Sequence, residues 1–162
     1  MLAYLFWHRP QPQVDVRDYE RRLSAFHQQL TQAGYTSAAF RLDRLPFDEN
    51  HGYEDWYLVA DWGSLGDLND DAVAARPGAA HDAVAELASK GWGGVYRLLQ
   101  GDPTPPEHVH WMSKPADETY TAFIGQLGDA AVWQRQLVLG PAPEFCVADG
   151  RPSGRRRVWP AA

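Results

Sequence analysis

The sequence predicts an α+β protein, with antiparallel strands in one layer and helices in another. Three observations predict it. Short apolar runs rich in aromatic and β-branched residues recur between Gly- and Pro-containing turns. Residues 16–30 carry apolar side chains at spacings of three and four, the period of an amphipathic helix. Over residues 1–101 the elements follow the order strand, helix, strand, strand, helix, strand.

Leu2 to His8 is the first strand. Tyr4 and Phe6 alternate with Leu5 and Trp7, so both faces are apolar and both are expected to be buried. Asp15 is a good N-cap, and Val16, Tyr19, Leu23, Phe26 and Leu30 form the stripe of the first helix, with Gly34 at its stop. Tyr35 to Leu45 is the second strand, with Ala38, Phe40 and Leu42 on one face and Ala39, Arg41 and Asp43 on the other. Phe47 to Tyr53 reads as a polar loop and Asp55 to Asp61 as the third strand. A helix is expected from near Ser64, interrupted at Pro77-Gly78 and resumed over Ala79 to Ala88. Gly91 to Gly94 reads as a turn and Val95 to Leu99 as the fourth strand.

Gly101-Asp102-Pro103-Thr104-Pro105-Pro106 is the strongest linker signal. It divides residues 1–101 from a shorter segment, 106–150, and a tail, 151–162. The second segment echoes the first. Trp7-His8-Arg9-Pro10 is matched by Met112-Ser113-Lys114-Pro115, and Tyr19 and Phe26 by Tyr120 and Phe123. Leu45-Pro46 corresponds to Gly140-Pro141, and Val59-Ala60-Asp61 to Val147-Ala148-Asp149. Four matches in one order predict a half-repeat: strand, helix, strand, strand, with Arg155 to Trp159 as a last short strand. The expected fold is therefore a ferredoxin-like βαββαβ unit followed by a shortened βαββ repeat, packed as a barrel or sandwich. A second sheet, from the second half or from a partner chain, is expected to cover the aromatic face that the helices leave bare. A homodimer is the expected assembly.

Composition narrows function. The formal charge of −6 disfavours nucleic acid and anionic membranes, because basic residues cluster only at Arg151, Arg155, Arg156 and Arg157. That cluster is expected to be solvated or paired with acidic surface. Cys146 is the single cysteine and sits in an apolar run, so core packing is expected and a disulfide within the chain is excluded. Met1 to Trp7 has no basic leader, and no apolar run approaches a membrane span. A bacterial cytoplasmic protein is expected; thirteen Arg against two Lys suits a GC-rich genome. The aromatic content of 12% is out of the ordinary and argues first for a second layer against each sheet, and only secondarily for a ligand.

The element order, the strand Tyr4-Leu5-Phe6-Trp7-His8-Arg9, and Asp55-Trp56-Tyr57-Leu58-Val59-Ala60-Asp61-Trp62 leading into Ser64-Leu65-Gly66-Asp67-Leu68 together resemble the dimeric α+β barrel superfamily. That group includes antibiotic-biosynthesis monooxygenase-like, EthD-like and stress-responsive barrel domains, muconolactone isomerases and haem-handling relatives. The resemblance covers residues 1–101 well and 106–150 loosely. It implies a pocket between sheet and helices or inside the barrel.

The pocket candidates are His8 and Arg41 as catalytic groups, with Tyr4, Phe6, Trp56, Tyr57, Tyr96 and Arg97 binding substrate. His8 is the acid–base candidate because imidazole titrates near neutrality. Arg41 suits an anionic substrate group or a structural pair. Glu54, Asp55 and Asp61 flank the third strand and are expected at a solvated edge. No cofactor is expected. A metal ion on His108 and His110, or haem on His27 or His81, are the alternatives considered. Two functions remain open. One is a cofactor-independent monooxygenase, cyclase or isomerase acting on a small hydrophobic, aromatic or polyketide-like ligand. The other is a non-catalytic, ligand-binding or oligomerising protein of the same fold. A cavity of roughly 300–1,000 Å³ with converging His and Arg would favour the first.

Overall fold

A computed structural model describes residues 1–137 and 140–161, apart from the side chains at 75 and 76; Ala162, the end of the expected tail, lies outside them. The chain runs β1 (Leu2–Pro10), α1 (Val16–Gln32), β2 (Thr36–Leu42), β3 (Gly52–Val59), α2 (Trp62–Ala72), α3 (Ala75–Ala85), β4 (Ala88–Gln100), β5 (His110–Met112), α4 (Tyr120–Gln126), β6 (Ala131–Arg135), β7 (Phe145–Ala148) and β8 (Arg155–Trp159). The eight strands form one antiparallel sheet in the order β5-β7-β6-β4-β1-β3-β2-β8. The α+β class stands.

The sheet curls into a half-barrel. Trp56 on β3 meets Trp133 on β6 edge-on at 5.5 Å, although β1 and β4 lie between those strands in the sheet. Trp111 on β5 meets both Trp7 and Tyr96, at 5.3 and 5.4 Å. The two ends of the sheet approach where Val109 N–H donates to Ser153 Oγ at 3.2 Å. The concave side holds a core of Leu5, Trp7, Phe40, Trp56, Tyr96, Trp133 and Cys146. This corrects the expectation of a second sheet: the bare aromatic face is covered by the curl of the same sheet. Aromatic side chains reach across such a curl because each spans more than a strand spacing.

Helices cover the convex side. Asp15 caps α1 by accepting from the N–H groups of Arg17 and Asp18, and Gly34 (φ 95°) lets the chain leave the helix. The helix buries Tyr19, Leu23, Phe26, His27 and Leu30 against β1–β3. Each apolar side chain so buried contributes about 1.5–3 kcal/mol. On the second half, α4 lays Phe123 on Phe145 of β7, with ring centroids 4.9 Å apart.

Among the element boundaries that differ from the sequence reading, three matter most. β3 starts at Gly52 rather than Asp55, which places Tyr53, Glu54 and Asp55 inside the sheet. The helix break falls at Val73–Ala74, and Pro77 sits in the first turn of α3, where its missing N–H is no loss. The Gly91–Gly94 segment is strand and not turn. Its glycines serve close approach: a Cβ at Gly91 would lie 2.4 Å from Phe6 Cζ, and one at Gly93 2.8 Å from the Tyr4 hydroxyl. The Tyr4 and Phe6 rings lean over β4 because those positions have no side chain.

Gly101 ends β4 with φ 87°, and a Cβ there would lie 2.4 Å from Ala131 Cα. Backbone cannot yield as a flexible side chain can. Gly101→Ala is expected to destabilise the protein by about 2–3 kcal/mol, combining left-handed strain with the clash. Urea unfolding measures this, and a change under about 0.5 kcal/mol, the usual range for a surface substitution, would contradict it.

Candidate active site

A cavity of about 680 Å³ lies between the convex face of the sheet and the helices. Its floor is made by Tyr4, Phe6 and His8 on β1, Asp55 and Tyr57 on β3, and Val95 on β4. Tyr19, Leu23 and Phe26 of α1 form one wall, and α2 and α3 supply Trp62, Leu65, Leu68, His81 and Val84. Its volume lies within the range of small-molecule sites.

Strand register builds the polar part of the floor. Phe6 lies opposite Asp55, and His8 lies opposite Tyr53. His8 and Asp55 are therefore diagonal neighbours on one face, within reach of each other. His8 Nε2 is 3.0 Å from Asp55 Oδ2, and Tyr57 O–H donates to the same oxygen at 2.9 Å. From α1 above, the Tyr19 hydroxyl lies 2.5 Å from His8 Nδ1. Two turns further along α1, His27 places Nε2 3.4 Å from Asp55 Oδ1 and Nδ1 2.8 Å from Ser37 Oγ. Ser37 faces Tyr57 across the β2–β3 register. The result is a buried row: Tyr19, His8, Asp55, His27, Ser37.

The electrostatics follow from burial. His8, His27 and Asp55 are 3%, 0% and 2% exposed. Burial alone would raise the Asp55 carboxyl, but His8, and then His27, outweigh it and hold the group well below the usual carboxylate range. Burial, and then the Asp55 charge, push the phenols of Tyr4, Tyr19 and Tyr57 upward, so all three stay protonated. An ionised carboxylate accepts hydrogen bonds only, so it fixes the orientation of its donors.

The structure separates the candidate residues. His8, Tyr4, Phe6 and Tyr57 meet in the cavity. Arg41 does not: its guanidinium is 3.8 Å from Glu20 and partly solvated, which satisfies its charge at the margin of the sheet. Trp56 and Tyr96 point to the concave core, because they alternate with Tyr57 and Val95. Arg97 is exposed on β4. Residues 108 and 110 do not share a strand face. His108 precedes β5 and accepts from Ser153 N–H at 3.3 Å, while His110 lies 3.6 Å from Asp149. Among the described residues no three His, Cys, Asp or Glu side chains gather as a metal-ligand set. His27 is wholly buried, and His81 lines the cavity with its ring edge-on to Phe26.

The acidic residues are the main correction. Glu54 and Asp55 are buried on opposite faces of β3, not solvated at an edge. Asp61 caps α2 by accepting from Ser64 N–H. In the concave core Glu54 accepts from the indole N–H groups of Trp7 and Trp56, at 2.8 and 2.7 Å. Arg155 lies 3.1 Å from Glu54, with its guanidinium 3.5 Å above the Phe40 ring centre. The arginine-rich tail is thus a strand with one buried member. Arg156 and Arg157 pair with Glu20 and Glu107 at the surface, as the charge balance predicts. Cys146 is packed in the same core, and burial pushes its thiol up.

No helix among the described residues is long and apolar enough to cross a membrane. Comparison with protein-family models, curated proteins and solved structures finds no match to the chain.

Proposed function

We propose that this protein is a small-molecule enzyme that moves protons on a hydrophobic, aromatic or polyketide-like ligand, as a cofactor-independent monooxygenase, cyclase or isomerase. The observation that carries this reading is His8, buried at the cavity floor between an ionised carboxylate and a phenol. A carboxylate behind an imidazole holds its tautomer and stabilises the imidazolium that forms when it takes a proton. Apolar walls exclude water, which strengthens each of these interactions.

The same proposal covers descent. Membership of the dimeric α+β barrel superfamily, as two ferredoxin-like halves in one chain, is supported by the sheet order. β1-β3-β2 and β5-β7-β6 repeat one arrangement, and in each half a helix follows the first strand. The reason for proposing a homodimer narrows to the sheet edges β5 and β8, since the concave face has its own cover.

The test is turnover of hydroxylated polycyclic ketones in air, with no cofactor added. Ligand absorbance and dissolved oxygen are followed together. Loss of both signals marks an oxygenase; a spectral change without oxygen uptake marks a cyclase or isomerase. His8→Phe is expected to slow turnover by about 10²–10⁴-fold, the usual contribution of a positioned acid–base group. Turnover unaffected by that change would remove His8 from the reaction. One observation favours the non-catalytic reading: both His8 ring nitrogens already have protein partners. Ligand binding without conversion of any ketone would support it.

A further inference from the structure

The hydrogen positions in the buried row are set by its ends. Asp55 is ionised, so Tyr57 must donate its O–H to Oδ2, and His8 must present Nε2 as N–H to the same oxygen. In the tautomer that carries its proton on Nε2, His8 has a lone pair at Nδ1, and the Tyr19 O–H donates to it. The protons of Tyr19 and Tyr57 are now committed, while Tyr4, the third phenol of the floor, has no hydrogen-bond partner among the described residues. The Tyr19 oxygen has no further partner among the described residues, so it retains lone pairs and offers no proton. Lys and Arg are absent from the described lining, and the formal charge at the floor is the Asp55 carboxylate.

Resting on the proposal above, we infer that the cavity selects uncharged planar ligands bearing a phenol or enol, and that the Tyr19 oxygen, not His8 itself, receives the ligand proton. An anion entering this cavity would lose its water beside a buried carboxylate, with no Lys or Arg in the described lining to replace it. A donor hydroxyl instead meets an acceptor with a free lone pair. The step balances without a co-reactant. The ligand O–H breaks and its proton joins the Tyr19 oxygen. The Tyr19 O–H breaks and that proton joins His8 Nδ1. The ligand becomes an oxyanion and His8 an imidazolium flanked by Asp55. His8's occupied nitrogens are then a requirement of the relay.

The probes are naphthol, its methyl ether and the naphthoate anion, which share a ring system but differ in donor and charge. Calorimetry on the full chain measures each at neutral pH. Naphthol is expected to bind about tenfold tighter than the ether, the factor of one well-made hydrogen bond. Naphthoate is expected to bind no tighter than the ether. Tyr19→Phe is expected to bring naphthol down to the ether's affinity while leaving the ether within about twofold, because the Phe ring keeps the wall and removes the acceptor. Equal binding of naphthol and ether to the unaltered protein overturns the inference and leaves the cavity as a ligand site. A naphthol preference that survives Tyr19→Phe removes Tyr19 as the acceptor. If none of the three probes binds, the cavity reading fails with it. The comparison on the unaltered protein decides the donor requirement even if Tyr19→Phe does not fold.

Discussion

Arg155→Leu will destabilise the fold by about 3–5 kcal/mol, the usual consequence of removing one partner from a buried ion pair. Arg155 and Glu54 are 1% and 0% exposed at their side chains and 3.1 Å apart. Without the guanidinium, a carboxylate would remain in an aromatic core, compensated only by the Trp7 and Trp56 indole N–H groups. The contact with the Phe40 ring is lost as well. For a chain of this size the change corresponds to a melting-point drop of roughly 10 °C. Glu54→Gln alone leaves the guanidinium buried and unpaired, and burial already works against its charge. The double variant, Glu54→Gln with Arg155→Leu, carries no buried charge there and keeps an acceptor for one indole. It is expected to be more stable than the sum of the single losses by about 2 kcal/mol or more, a coupling typical of contacting residues. Urea unfolding of the four proteins measures that coupling. Additive losses would show that the pair contributes nothing as a pair, and that Arg155 acts through packing alone.

Much of the framework is legible from local pattern. The α1 stripe and its Asp15 cap are readable because helix periodicity and capping are both local. The alternation of β1 separates Tyr4 and Phe6 from Leu5 and Trp7, and those sets do line the cavity and the concave core respectively. What escapes the sequence reading comes from one boundary and from long-range contacts. With β3 started at Gly52, the alternation Tyr53, Asp55, Tyr57, Val59 puts Asp55 on a buried face beside His8's partners. Started at Asp55, the strand leaves both acids at its edge. Tyr19 is visible in the sequence only as a stripe residue, since nothing local says that its hydroxyl meets β1. Arg155 to Trp159 is legible as a last short strand, but the burial of Arg155 is not, because it depends on the partner strand β2, more than a hundred residues away. The curl is likewise non-local: Trp56 and Trp133 meet through the shape of the whole sheet.

Asp55→Asn will unsettle the cavity floor and change the acid limb of stability. The amide keeps the carboxylate's shape but carries two donor hydrogens. Asp55 Oδ2 accepts from Tyr57 and His8, while Oδ1 faces His27, so either amide orientation sets a donor against a donor or leaves one unpaired. A loss of about 2–4 kcal/mol is expected, between that of an unsatisfied buried group and that of a broken buried pair. The pH dependence separates charge from shape. The folded Asp55 carboxyl sits below its unfolded value of about 3.9, so its contribution is fully present above that value. It is lost as pH falls through the folded value. In the unaltered protein Asp55 therefore steepens the decline in stability below about pH 4–5, by up to about 1.4 kcal/mol per pH unit where one proton is taken up on unfolding. His8, His27, Tyr57, Tyr19 and Tyr4 face this carboxylate and remain in the variant, so the difference between the two curves reports Asp55 together with its coupling to them. Urea unfolding of both proteins from neutral pH into acid measures it. The expected outcome is a gap that is constant near neutrality and closes in acid, since the unaltered protein loses there what the variant never had. A gap of constant size down to the lowest folded pH would mean that Asp55 is protonated throughout. The hydrogen positions assigned to Tyr57 and His8 would fall with it.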